Sequence, residues 1–224
     1  MAVKKSAKIL SDAVSNEIND WNKALKPLFK KYKGKKHPLE YKNLYQLVIM
    51  VILSARDSDR HINQIAPALF KKFSSVKKLS TASPEELHPY IKGVLNYARK
   101  AEWISAFAKE VKSDKNIPLT IETLTQFKGI GRKTANVIMT EMGVPLEGVI
   151  VDLHTLRVAP RIGIAKGTNP ENIEKQLMEK VQQKNWGILG LSLSHLGRET
   201  CRPTNPKCHE CVVNTICEYY RLLK

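Results

Sequence analysis

The chain lacks the long apolar runs that membrane-spanning helices need. In its 224 residues the longest uninterrupted hydrophobic run, residues 47–53, has seven members, whereas a helix that crosses a bilayer needs about twenty. The first eight residues are small or basic, and no hydrophobic segment of a secretory signal follows them. These absences exclude a helical membrane protein and a secreted protein, and we expect a soluble cytoplasmic protein.

Negative charge is also scarce. Asp and Glu number 21 against 37 Lys and Arg, which gives a formal net charge of +16. Excess positive charge favours binding to polyanions, because the bound cations release condensed counterions. Nucleic acid is therefore the expected partner, although a lysine-rich surface that only keeps the protein soluble would give the same charge.

The alternating pattern of a β-sheet is missing, and the only strand-like patch is residues 149–152. Apolar residues elsewhere recur at helical spacing, and the segment 43–55 is apolar on all sides, which is typical of a central helix. Gly143 and Gly163 are placed to end two further helices, the second of which Asp152 is placed to cap. About ten helices without a repeated unit predict an all-α fold.

Residues 127–136 combine the features of a binding turn with one reactive side chain. Gly129 and Gly131 flank Ile130 and lead into a helix, whose first free N–H groups carry partial positive charge and can hold a phosphate. Lys133 is the only candidate nucleophile of the stretch, since the helix dipole favours the neutral form of an amine placed there. Glycine turns followed by a solvated lysine are common, so this stretch alone leaves both interpretations open.

No cysteine occurs in the first 200 residues, and all four lie within the next 17 with spacers of six, two and five residues. Disulfides are disfavoured in a chain without an export signal. The cluster therefore predicts a metal site with Cys201, Cys208, Cys211 and Cys217 as ligands. Structural zinc sites usually present two close pairs, and here only one exists, so the spacing favours a cuboidal iron–sulfur cluster with zinc as the alternative.

Three motifs resemble, in order and separation, those of the endonuclease III family of helix-hairpin-helix DNA glycosylases. They are Gly-Ile-Gly-Arg-Lys-Thr-Ala-Asn at 129–136, Val-Asp-Leu-His at 151–154 and the cysteine pattern. The resemblance covers residues 21–219, nearly the whole chain.

The resemblance implies a two-domain fold with a DNA cleft between the domains. Residues 38–145 would form a six-helix barrel that contains the hairpin. Residues 21–37 and 146–224 would form a second domain, in which the four cysteines hold a [4Fe-4S] cluster. Outside the resemblance, the composition of residues 1–20 predicts a loosely ordered basic leader.

The resemblance also implies a base excision repair reaction on double-stranded DNA that contains a damaged base or an abasic site. The damaged base, expected to be an oxidised pyrimidine, is flipped out because its glycosidic bond cannot be reached inside the stack. Lys133 would attack the sugar C1′ and form a Schiff base, from which β-elimination nicks the strand. Asp152 would stabilise positive charge on the sugar and help to deprotonate the lysine, or would serve only as a helix cap. The expected enzyme is a monomeric bifunctional glycosylase and lyase associated with a prokaryotic nucleoid.

DNA contacts are expected on the hairpin and on two probing loops, which the resemblance implies, and on cations of the cysteine loop, for which a merely solvated loop is the alternative. They are Gly129, Ile130, Gly131, Arg132, Thr134, Arg56, Asn96, His154, Arg202 and Lys207. Arg56 stands where the family has a glutamine that fills the gap left by the flipped base, and Asn96 where it has a leucine. Because both probing residues differ while Lys133 and Asp152 are retained, we expect a different lesion or opposite-base preference, with a neutral change at Arg56 as the alternative.

Two other functions stay open from the residues alone. A monofunctional glycosylase with altered lesion preference would use water instead of Lys133 as the nucleophile. A non-catalytic iron–sulfur protein that only binds damaged DNA would need neither Lys133 nor Asp152.

Overall fold

The computed structural model describes residues 18–223, which fold into helices and loops with no β-strand in this range. The all-α prediction is confirmed. Along these residues lie thirteen α-helices: α1 (Trp21–Ala24), α2 (Lys26–Tyr32), α3 (Leu44–Leu53), α4 (Asp59–Lys72), α5 (Val76–Ser80), α6 (Pro84–Ile91), α7 (Tyr97–Val111), α8 (Ile121–Leu124), α9 (Arg132–Met142), α10 (Leu153–Ile162), α11 (Pro170–Lys180), α12 (Trp186–Glu199) and α13 (Glu218–Arg221). Short 3-10 turns occur at Asp114–Asn116, Gln183–Asn185, Cys208–Glu210 and Asn214–Ile216.

Two further predictions concern the N-terminal leader and the absence of membrane-spanning helices. Residues 1–17 of the predicted leader lie outside the described residues. From residue 18 to residue 223, no helix combines the length and the apolarity that crossing a bilayer requires.

Helix α3 is the centre of the first of two separate apolar cores. Every residue from Leu47 to Leu53 is buried, as predicted for a helix that is apolar on all sides. Asn43 starts the helix by accepting a hydrogen bond from the N–H of Gln46 at 3.0 Å. Apolar side chains from α4, α5, α6, α7 and α9 pack around it. Each fully buried Leu or Ile contributes about 1.5–3 kcal/mol, so α3 anchors this core.

The second core joins the start of the described chain to its C-terminal part. Leu25, the residue between α1 and α2, and Leu28 on α2 are packed with apolar residues of α10, α11 and α12. The hydroxyl of Tyr32 donates to Oε2 of Glu199 at 3.0 Å, which ties α2 to α12. Segments far apart in sequence therefore share one core.

An extended segment, residues 149–152, lies between the two cores. Val149 and Val151 are buried in the second core, whereas Ile150 is buried in the first. Successive residues of an extended chain point to opposite sides, so one short segment can contribute to both. The patch predicted as strand-like is thus extended but pairs with no strand in the described residues, and it delivers Asp152 to the boundary between the cores.

Candidate active site

The hairpin at residues 127–131 connects α8 to α9 through a tight turn. Gly129 has a φ of 89°, which disfavours any side chain, and a Cβ there would lie 2.7 Å from Cε3 of Trp103. Ile130 is buried, and its N–H donates to the carbonyl of Phe127 at 3.1 Å. Gly131 has open space where a Cβ would be. The N–H groups that begin α9 are therefore accessible to an anion such as a phosphate.

The polar residues that follow the hairpin differ in what they contact. Lys133, the second residue of α9, is exposed, and Thr134 is half-buried. Arg132 donates from Nε to Oε2 of Glu174 at 2.7 Å and from Nη2 to the carbonyl of Glu147 at 3.3 Å. Arg132 is thus engaged within the protein, whereas Lys133 faces solvent.

Asp152 caps α10, as the sequence predicts, and its carboxylate is held from three sides. Oδ1 accepts from the N–H groups of His154 at 2.9 Å and Thr155 at 2.8 Å. Oδ2 accepts from the hydroxyl of Ser194 on α12 at 2.6 Å. Burial would raise the pKa of Asp152, but the hydrogen bonds and the charges of His154 and Lys133 outweigh it, so its pKa lies below the ordinary 3.8. The carboxylate is therefore ionised at neutral pH and fixed in orientation.

Lys133 lies within electrostatic range of two groups that come from different parts of the chain. Its charge contributes to the low pKa of Asp152 and acts on His37, in the linker between α2 and α3. Burial, with Lys133 acting in the same direction, lowers the pKa of His37 from 6.5 to about 4. Nδ1 of His37 accepts from the backbone N–H of Leu39 at 3.3 Å, and the backbone N–H of His37 donates to Oε1 of Glu141 at 3.0 Å. At neutral pH His37 is uncharged, so it adds no further cation beside Lys133.

A polar cavity of about 800 Å³ opens between α4 and the C-terminal helices. Its lining includes Pro38, Asp57, Asp59, Asn63, His154 and Arg198. Nη1 of Arg198 donates to Oδ2 of Asp59 at 3.2 Å, which joins α12 to α4. A pocket with this many hydrogen-bonding groups suits a polar ligand, and His154 connects it to the cap of α10.

The family of the chain follows from comparison with known proteins. Residues 49–183, which include the hairpin, Lys133 and Asp152, match the family described as "HhH-GPD superfamily base excision DNA repair protein". The chain belongs to the HhH-GPD superfamily.

Relatives of this HhH-GPD protein include several that are named endonuclease III. The endonuclease III of Synechocystis sp. is 32% identical over 192 residues, which cover 85% of this chain and 88% of the relative. That of Rickettsia felis is 34% identical over 208 residues, which cover 89% and 94%. A solved structure of a trapped endonuclease III–DNA covalent intermediate, an estranged-adenine complex, has a TM-score of 0.80 at 28% identity and covers 90% of this chain and 95% of that one. The resemblance drawn from the three motifs is confirmed.

Arg56 and Asn96, the two residues predicted to probe the duplex, lie exposed at turns. Arg56 and Asn96 have left-handed φ values of 60° and 58°, which are uncommon for residues other than glycine. Lys100 is 2% exposed and donates from Nζ to the carbonyls of Leu53 and Ala55, each at 2.7 Å. The helix that follows Asn96 is therefore tied to the turn that carries Arg56.

The four cysteines of this HhH-GPD protein lie outside the matched segment and line one shared cavity. None of the four forms a disulfide. Nη1 of Arg161 reaches Sγ of Cys201 at 3.5 Å, and the thiol of Cys217 donates to the carbonyl of Arg161 at 3.2 Å. Iron–sulfur clusters are commonly held by four cysteine sulfurs, and the four cysteines around this cavity could supply such a donor set. Among residues 18–223, no three Cys, His, Asp or Glu side chains are grouped as a site for a single metal ion.

The predicted site residues of this HhH-GPD protein fall into separate groups. Lys133, Asp152 and His154 lie at the boundary of the cores, whereas Arg202 and Lys207 are exposed on the cysteine loop. The motifs do not indicate four further residues with contacts to the site or the probing loops: His37, Lys100, Glu174 and Ser194. Each of these four residues interacts with groups that only folding brings near it, so only the three-dimensional structure reveals its connection to the site.

Proposed function

We propose that the protein is a bifunctional DNA glycosylase and abasic-site lyase of base excision repair. The observation that carries the proposal is an exposed amine, Lys133, within electrostatic range of the ionised and fixed carboxylate of Asp152. The endonuclease III relatives and the endonuclease III–DNA covalent intermediate support it. The proposed substrate is double-stranded DNA that contains a damaged base or an abasic site, which would place the enzyme with the genome.

In the first step, Lys133 would displace the damaged base. Its Nζ lone pair forms a bond to the sugar C1′ while the glycosidic bond breaks. The base leaves with the electron pair of the glycosidic bond and takes up a proton. Positive charge grows on the sugar during this step, and the carboxylate of Asp152 would stabilise it. Because its pKa is lowered, Asp152 is better suited to this electrostatic role than to accepting a proton.

In the second step, the strand would be cut. Loss of a proton from the C1′-bound nitrogen frees its lone pair, which forms a C=N bond to C1′ while the C1′–O4′ bond breaks and O4′ takes up a proton. The resulting protonated imine acidifies the C2′ hydrogens. Removal of one C2′ proton sends its electron pair into a new C=C bond and expels the 3′ phosphate. Water then hydrolyses the imine and returns Lys133 as the free amine.

DNA would lie across the boundary between a barrel domain, residues 38–145, and a second domain, residues 21–37 with 146–224. The N–H groups after Gly129, Ile130 and Gly131 would hold a backbone phosphate, with Thr134 beside them. Lys207 and Arg202 would contact phosphates from the cysteine loop. Arg132 would contribute less than the sequence suggests, because its guanidinium is paired with Glu174.

The lesion preference would depend on Arg56, Asn96 and the pocket that contains His154. Arg56 would enter the space left by the flipped base, where its guanidinium can contact guanine or phosphate as a bidentate donor. We therefore propose that lesion or opposite-base preference differs from that of an enzyme with glutamine at this position, and Arg56→Gln should shift the profile.

Cys201, Cys208, Cys211 and Cys217 would hold a [4Fe-4S] cluster. The support is the shared cavity that the four cysteines line. When bound, the cluster would supply a rigid cross-link for residues 201–217. Iron and acid-labile sulfide in the purified protein would support the assignment, whereas zinc without iron would contradict it.

The experiment that tests the function compares the parent with Lys133→Gln and with Lys109→Gln, a control at an exposed lysine on α7. Duplexes carry thymine glycol, dihydrouracil, uracil or an abasic site opposite each base. We expect base release and strand cleavage by the parent and by Lys109→Gln, and neither by Lys133→Gln. Base release without cleavage, unaffected by Lys133→Gln, would instead indicate a monofunctional glycosylase, and binding without release would indicate a damage-binding protein.

A further inference from the structure

A buried carboxylate joins the two elements that carry Lys133 and Asp152. Glu174 on α11 is 6% exposed. Its Oε2 accepts from Nε of Arg132 at 2.7 Å. Its Oε1 accepts from Nδ2 of Asn136 at 3.0 Å and from the N–H of Val149 at 3.1 Å. One side chain thus binds three donors from two separate stretches of the chain.

The donors lie close in sequence to both members of the proposed catalytic pair. Arg132 and Asn136 lie on α9 on either side of Lys133, and Val149 begins the extended segment that ends at Asp152. Helix α9 contributes to the first apolar core and α11 to the second. Glu174 therefore links the start of α9 to the segment that carries Asp152, across the boundary between the cores.

The backbone of Gly148 lies so close to the carboxylate of Glu174 that a side chain does not fit at this position. A Cβ at Gly148 would lie 2.0 Å from Oε1 of Glu174 and 2.8 Å from Nδ2 of Asn136. Gly148 is not among the glycines with positive φ. A glycine is needed here because the carboxylate approaches the backbone closely, and not because of the backbone conformation.

Stability alone explains this arrangement poorly. The desolvation of a buried ion pair offsets much of its Coulombic gain, and apolar residues of similar size often stabilise a fold equally well. A carboxylate differs from an apolar group in that its two oxygens fix the directions of several donors at once. We propose that Glu174 is a positioning residue that sets the separation and orientation of Lys133 and Asp152, an inference that rests on the proposed function.

The test measures elimination and binding separately on a duplex that contains an abasic site. The variants are Glu174→Gln, which keeps the shape but not the charge, Glu174→Asp, and Glu179→Gln as a control at an exposed position of the same helix. Small displacements of reacting groups lower rates strongly, so we expect Glu174→Gln to slow single-turnover elimination by about 10- to 100-fold, with the duplex dissociation constant changed by less than about threefold. Glu174→Asp should recover part of the rate, and Glu179→Gln should match the parent.

Elimination by Glu174→Gln at the parent rate would overturn the proposal. A loss of rate that only parallels a loss of folded protein and of DNA binding would overturn it as well. If Glu174→Gln does not fold, the same measurements of elimination and duplex binding are made on Gly148→Ala. The new Cβ displaces the carboxylate of Glu174 without removing its charge. Failure of the proposed function is distinguishable, since the parent itself would then not cleave the abasic-site duplex.

Discussion

Acidification should destabilise the folded protein through His37, next to the proposed active site. Burial lowers the pKa of this imidazole from 6.5 to about 4. The charges of Lys133 and Arg198 act in the same direction, while those of Asp59 and Glu141 oppose it. As the pH falls, the imidazole of His37 takes up a proton in the unfolded chain before it does so in the folded protein. The stability that the neutral imidazole confers on the folded protein is therefore fully present above about pH 6.5 and is lost as the pH falls toward 4. Across this whole pH interval the free energy of unfolding falls by about 3 kcal/mol, of which about 2 kcal/mol is lost by pH 5.

Urea unfolding of the parent and of His37→Asn at pH 8 and pH 5 tests this reasoning. The asparagine oxygen can still accept from the N–H of Leu39, but the side chain cannot titrate. Between the two pH values the parent should lose about 2 kcal/mol more than the variant. Between pH 7 and pH 8, above the titration window, the difference between the two proteins should stay constant. Equal losses in both proteins at pH 5 would refute the assignment to His37.

Three further changes probe the site and its supports. Ser194→Ala removes a hydrogen bond that lowers the pKa of Asp152, so the acid limb of the pH–rate profile for elimination should move to higher pH; an unchanged limb would argue against a role for the ionised carboxylate. Lys100→Met leaves two carbonyls without their charged donor and should lower the free energy of unfolding, measured in urea, by about 2–4 kcal/mol. The same change should slow base release more than elimination at an abasic site. Stability equal to that of the parent would contradict the expected loss. Cys208→Ala should lose bound iron and expose residues 201–217 to proteolysis, and full iron content in this variant would exclude Cys208 as a ligand.

Local chemistry made several parts of the site predictable from the sequence. The turn at Gly129 is visible because few other residues tolerate its positive φ. The cap at Asp152 is visible because a carboxylate at the first turn of a helix satisfies free N–H groups nearby. Helix α3 is visible because its residues are apolar on every side. In each case the signal and the structure lie within the same few residues.

Other parts depend on contacts that a pattern along the chain does not contain. Helix α4 is harder to predict, because Pro67 in its interior is a residue that usually breaks helices, although Ile62, Ile65, Ala66, Leu69 and Phe70 recur at helical spacing. Ser58 begins this helix by accepting from the N–H of His61 at 3.1 Å, and Ile62 and Leu69 anchor it in the first core. Ser194 reaches Asp152 only because α12 packs against α10. Its role follows from tertiary packing, which a single sequence does not encode in any local spacing.

The central claim is that Lys133 forms a covalent bond to the sugar of damaged DNA. Borohydride reduction during the reaction of the parent with an abasic-site duplex, followed by proteolysis and mass spectrometry of the adduct, tests it most directly. We expect one DNA-linked peptide with the modification on Lys133, and no adduct from Lys133→Gln. Strand cleavage without any adduct, or an adduct on another lysine that persists in Lys133→Gln, would contradict it.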